Sequence, residues 1–123
     1  MNVVRTTDGI TGIRRLLRAM RVGVSALHWG LRNEEALRLE ILALIPSIPL
    51  AIWLGSTRVG RALLISSLLL VLVTELLNTG IEIAVDRIGT ERHELSGLAK
   101  DFGSAAVMIA LLNAVLVWCF VLI

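Results

Sequence analysis

Residues 102–123, from Phe102 to Ile123, contain no charged side chain. A helix that crosses the ~30 Å hydrocarbon core of a bilayer needs ~20 largely apolar residues, and this run supplies them. Two more apolar runs precede it. One lies between Glu40 and Arg58; it is shorter and holds Pro46 and Pro49, which membrane helices tolerate. The other begins at Ala62 and reaches a full span only if Glu75 is admitted inside it. Hydrophobic residues make up 56% of the 123 and charged residues 18%. Soluble domains run nearer ~45–50% and ~25%, and a soluble fold of this size has too little interior for such a surplus of apolar surface. The pattern predicts an all-α membrane protein of a single domain, residues 1–123, with spans at about 41–57, 62–85 and 102–123.

The same composition excludes disorder, collagen, a disulfide scaffold and a coiled coil. Cys119 is the single cysteine, which excludes an intramolecular disulfide and a cysteine metal cluster. The formal charge is +2, and there are two phenylalanines and no tyrosine. That excess and that poverty of stacking rings argue against a nucleic-acid partner.

The N-terminal segment follows a different pattern. Ile10, Ile13, Leu17, Met20, Val24, Leu27 and Leu31 recur at steps of three and four, with Arg14, Arg15, Arg18, Arg21 and Arg32 mostly off that stripe. This predicts an amphipathic helix over about 10–38, suited to an anionic membrane surface; packing on a soluble partner is the alternative. Residues 1–40 carry seven arginines, and 86–101 carry Arg87, Arg92 and Lys100. The positive-inside rule puts both segments in the cytoplasm.

A charge at the centre of a span costs ~2.5–3.5 kcal/mol on the insertion scale, so Glu75 requires a reason. At 100° per residue Glu75, Asn78, Glu82 and Asp86 share one helical face. At a rise of ~1.5 Å per residue, Glu75 lies about 20 Å from Ala62, about two-thirds of the way through the core toward the cytoplasm. Glu82 falls at the interface and Asp86 in water. The deep carboxylate is a candidate general base, and the shallow ones are hard oxygen donors suited to magnesium. Glu75 acting only as interhelical packing glue is the alternative.

Residues 86–101, DRIGTERHELSGLAKD, concentrate glycines and ionisable groups. Lys100 is a point-charge donor for phosphate, and Glu91, Glu94 and Asp101 can bind a cation. A solvated connector accounts for the same composition, and no Walker or protein-kinase signature is present. Ahead of the first apolar run, Glu34 is followed four residues later by Arg38, the spacing of an ordinary helix-face ion pair.

Three stretches then fit one pattern. The run E-x-x-N-x-x-x-E-x-x-x-D at Glu75, Asn78, Glu82 and Asp86 is followed by HELSGLAKDFGSAA from His93, and N-E-x-A-x-R-x-E lies upstream from Asn33 to Glu40. Together they closely resemble the prokaryotic diacylglycerol kinase family, over roughly residues 10 to 119. The resemblance implies a homotrimeric inner-membrane enzyme with a surface helix and three spans, its active site facing the cytoplasm. It would transfer the γ-phosphoryl group of MgATP to the primary hydroxyl of diacylglycerol. Carried over by motif position, Glu75 is the general base and contacts the lipid. Glu34 and Glu82 hold Mg2+ against the ATP phosphates. Arg15, Glu91, Arg92, His93, Lys100 and Asp101 match nucleotide-binding positions. Arg15 and Ser104 match positions near the lipid, and Asn78 and Asp86 extend the polar face. Glu35 stands where the family often has alanine. An undecaprenol kinase of the same fold shares these motifs. A small proton-coupled transporter using Glu75 is the rival from another class, and the cytoplasmic offset of Glu75 weighs against it.

Overall fold

The structure, a computed structural model, describes residues 12–123. They form four helices: α1 (Gly12–Asn33), α2 (Glu35–Leu54), α3 (Arg58–Ile88) and α4 (Glu94–Leu122). Among them α2, α3 and α4 are long and apolar enough to cross a membrane. Two compact units divide the chain, one ending at Arg38 and the other beginning at Leu39.

In the first unit the expected single helix over 10–38 is broken at Glu34; its start, at Ile10, lies outside the described residues. Hydrogen bonding carries through the break, since Glu34 N–H donates to Gly30 O at 2.8 Å and Arg38 N–H to Glu34 O at 3.0 Å. The cause lies in Arg38. Its guanidinium turns back and donates to the carbonyls of Leu31 and Arg32, at 2.8 and 3.2 Å. Those are C-terminal carbonyls of α1 that have no partner within the helix. Arg38 is thus engaged as a helix cap, a different use from the ion pair that its spacing to Glu34 suggested. Leu37 is buried and its Cδ2 sits over Gly30, where a Cβ would overlap it.

In the second unit α3 and α4 run antiparallel. The hairpin is tied twice near its open end and once nearer its turn. Gly60 lets Val121 close in on the start of α3, Trp118 Nε1 donates to Leu64 O at 3.3 Å, and Asn78 meets Gly103. Its core is small: Leu64, Ser67, Val71, Ala110 and Ala114 are buried, and the alanines let the two backbones approach. Ser67 and Thr74 return their hydroxyl protons to Leu64 O and Val71 O on their own helix, both at 2.8 Å, so these two donors are satisfied without water. Leu69, Leu70, Val73 and Leu77 on α3 and Ile109, Leu111, Leu112, Val115 and Leu116 on α4 stay exposed, an apolar surface that suits lipid or another apolar helix better than water.

The helices outrun the apolar stretches that predicted them. α3 extends on both sides of 62–85, α4 starts eight residues ahead of Phe102, and α2 starts at Glu35, although it stops at Leu54, short of the expected 57, where Gly55 opens the connection to α3. Loss of apolar character marks where lipid ends, whereas Glu, Arg and Lys are good helix formers and carry the helix into water. Where α2 and α3 meet, the connection is short. Arg61 Nε donates to Gly55 O at 2.9 Å, and Thr57 Oγ1 accepts from Gly60 N–H at 2.9 Å as the N-cap of α3. α2 runs unbroken through Pro46 and Pro49.

Candidate active site

Since α3 is regular from Arg58 to Ile88, the spacing of Glu75, Asn78, Glu82 and Asp86 places them on one face of it. Their exposure is graded. Asn78 is 8% exposed, Glu75 and Glu82 are half-buried, and Asp86 is open to solvent. One carboxylate left unassigned by the sequence joins this face from α2. Glu40 lies close enough to Glu75 for the two charges to act on each other, and its Oε1 is buried with no hydrogen-bond partner. Its one signal in the sequence is position: it is the last charged residue before the first charge-free run.

At the aqueous end, the turn between α3 and α4 gathers several expected residues. Asp86, Glu91, Arg92, His93 and Lys100 all line a depression of ≈ 190 Å³. Asp101 is exposed outside that lining, and Ser104 is exposed one turn further along α4. Lys100 Nζ donates to Asp86 Oδ1 at 2.8 Å, and this hydrogen bond raises the pKa of the ammonium above its ordinary value. His93 is the N-cap of α4. Its Nδ1 accepts the Leu95 N–H at 3.1 Å, which assigns the unprotonated position to Nδ1 and leaves Nε2 to donate. The spacing of the sequence could not disclose this capping role of His93.

In the first unit, Glu34 occupies the break between α1 and α2, partly buried, and Arg15 is exposed on α1. Among the described residues no three His, Cys, Asp or Glu side chains converge on a point that could hold a metal ion. A magnesium ion that travels with ATP needs no such cage: one or two carboxylates suffice, the remaining positions being phosphate oxygens and water. Glu82, half-buried beside the aqueous turn, is a donor of that kind.

The family model for prokaryotic diacylglycerol kinase matches residues 21–122. A diacylglycerol kinase of Escherichia coli K12 is 47% identical over 115 residues, covering 94% of this chain and 94% of that protein. One from Haemophilus influenzae is 48% identical over 108 residues, covering 88% and 92%, and one from Pseudomonas aeruginosa is 42% identical over 115 residues, covering 94% and 94%. With a family model matched along most of its length and relatives at this identity, the chain belongs to the prokaryotic diacylglycerol kinase family of membrane enzymes.

Proposed function

We propose that the chain phosphorylates the primary hydroxyl of diacylglycerol with MgATP, giving phosphatidic acid and ADP, by direct in-line transfer. The observation that carries this reading is the graded polar face of α3, half-buried at Glu75 and open at Asp86, with Lys100 held at its aqueous end. A lipid alcohol and a nucleotide live at different depths, and this face joins those depths.

On this reading the Glu75 carboxylate accepts the proton of the lipid hydroxyl as the oxygen attacks the γ-phosphorus. The bond from that phosphorus to the β,γ-bridging oxygen breaks, and ADP leaves. The half-buried carboxylate stands on the same face as the groups that would handle phosphate, which is what a general base for this transfer requires. Glu34 and Glu82 would hold the magnesium, which neutralises phosphate charge. Lys100 donates to phosphate oxygens, with Arg15, Glu91, Arg92, His93 and Asp101 completing the nucleotide contacts. Arg15 and Ser104 lie by the lipid. Phosphoryl transfer asks for positioning and charge neutralisation, which these groups supply without a covalent intermediate. We further propose that α1 lies on the cytoplasmic surface of the inner membrane, and that the enzyme works as a homotrimer.

The test is transfer from γ-labelled MgATP in mixed micelles, with diacylglycerol and undecaprenol offered separately to wild type and to Glu75→Gln. Label in phosphatidic acid, lost in Glu75→Gln while MgATP still binds, is the expected result. Label only in undecaprenyl phosphate overturns the acceptor. Full turnover by Glu75→Gln overturns the base. No label in either lipid from folded protein returns the transporter reading.

A further inference from the structure

Asn78 is buried at 8% exposure, and its Oδ1 has no hydrogen-bond partner. The other buried polar side chain described, Ser67, satisfies itself on Leu64 O. An acceptor sealed away unpaired is costly, more so in the middle of a membrane hairpin, so its placement needs a return.

Gly103 on α4 accounts for where the oxygen sits. A Cβ at Gly103 would overlap Asn78 Oδ1 and stand 3.2 Å from its Cγ and 3.6 Å from its Cα. The amide therefore occupies the space that any other residue at 103 would fill. The α4 backbone is helical there, so its N–H groups are spent along the helix and its Cα–H groups are what it presents. A carbonyl oxygen rests favourably against such C–H groups, whereas an NH2 would meet them hydrogen to hydrogen. The notch thus selects one of the two orientations of the amide. With the oxygen in the notch, Nδ2 is the end of the amide left clear of it, on a side chain whose helical face carries Glu75 three residues before and Glu82 four residues after.

We infer that Gly103 is a positioning residue for the kinase reaction, its missing side chain being the notch that turns the Asn78 amide donors toward the Glu75–Glu82 face. The inference rests on the reading that this face is where phosphoryl transfer occurs. It explains why an acceptor is left unpaired: the donors at the other end of the amide are what the site uses.

The experiment measures lipid phosphorylation and thermal unfolding of the full chain in mixed micelles for wild type, Gly103→Ala, Asn78→Ser, the Gly103→Ala/Asn78→Ser pair, Asn78→Gln and Glu75→Gln. Alanine is a better helix former than glycine, so Gly103→Ala acting on the helix alone would be neutral or stabilising. The expected result is a fall in kcat of about tenfold or more in Gly103→Ala, with KM for MgATP within about twofold, the pattern of a lost transition-state interaction. Adding Gly103→Ala to Asn78→Ser should then cost nothing further, because serine does not reach the notch. Wild-type kcat in Gly103→Ala overturns the inference, and so does an equal loss in the Asn78→Ser background, which would mark a packing role alone. If Gly103→Ala does not fold, Asn78→Gln decides. Its longer amide cannot seat beside an intact Gly103, so it should lose kcat to a similar degree, and wild-type kcat there overturns the inference. Failure of the underlying reading is separately visible, as full turnover by Glu75→Gln.

Discussion

Lys100 and Asp86, fourteen residues apart in the chain, close the turn between α3 and α4 with a 2.8 Å bond from Nζ to Oδ1. Both side chains are well exposed, at 40% and 57%. An exposed pair of this kind adds little to stability, so on the proposed function its value lies in holding the ammonium where the phosphates of ATP would arrive.

Lys100→Ala should therefore raise KM for MgATP about tenfold, the loss of one charge-assisted phosphate contact. Asp86→Asn should raise it less. The double variant should match Lys100→Ala, since the carboxylate acts through the lysine. Asp86 also raises the lysine pKa, so the ammonium stays charged to higher pH with its partner than without. In Asp86→Asn the alkaline rise in KM should begin at lower pH, which KM–pH profiles of the two proteins will show.

For Glu82→Gln the expected change is in metal-dependent nucleotide binding. MgATP affinity should fall about tenfold or more, while binding of metal-free ATP stays the same within about twofold. Titration calorimetry with and without magnesium separates the two. Equal weakening under both conditions would remove Glu82 from the metal.

His93 caps α4, and on the proposed function it also contacts nucleotide, two duties that substitutions can divide. His93→Ala removes the acceptor for Leu95 N–H and should cost about 1 kcal/mol of stability, the usual worth of an N-cap. His93→Asn should restore the cap and the thermal midpoint. If Nε2 donates to nucleotide, His93→Asn should still show a raised KM for MgATP.

Trp118→Phe deletes the interhelical bond to Leu64 O, which is long at 3.3 Å. Interhelical hydrogen bonds in membranes average about 0.6 kcal/mol, so the unfolding free energy in detergent should drop by about that much, with kcat unchanged.

Much of this architecture is legible in the residues. The apolar runs around Pro46, Val71 and Ala110 mark α2, α3 and α4, because apolar length is what a bilayer demands of a helix. The alignment of Glu75, Asn78, Glu82 and Asp86 is legible because one regular helix carries all four. The break at Glu34 was hidden, since it depends on which carbonyls the Arg38 guanidinium chooses. The proximity of Glu40 to Glu75, the Lys100–Asp86 bond and the seat of Asn78 against Gly103 were hidden for a related reason. Each depends on how one helix is rotated against another, and periodicity along one helix says nothing about that angle.

The regularity of α3 has a last consequence. Seven residues separate Glu75 from Glu82 on one unbroken helix, which sets them about 10 Å apart along its axis. On the proposed chemistry, that interval works as a fixed ruler between the plane where an alcohol is deprotonated and the plane where phosphate is gripped. An enzyme built on such a ruler has no need to lift a lipid out of its leaflet. The hydroxyl stays below the interface, and the γ-phosphate reaches about 10 Å inward from Glu82 to meet it.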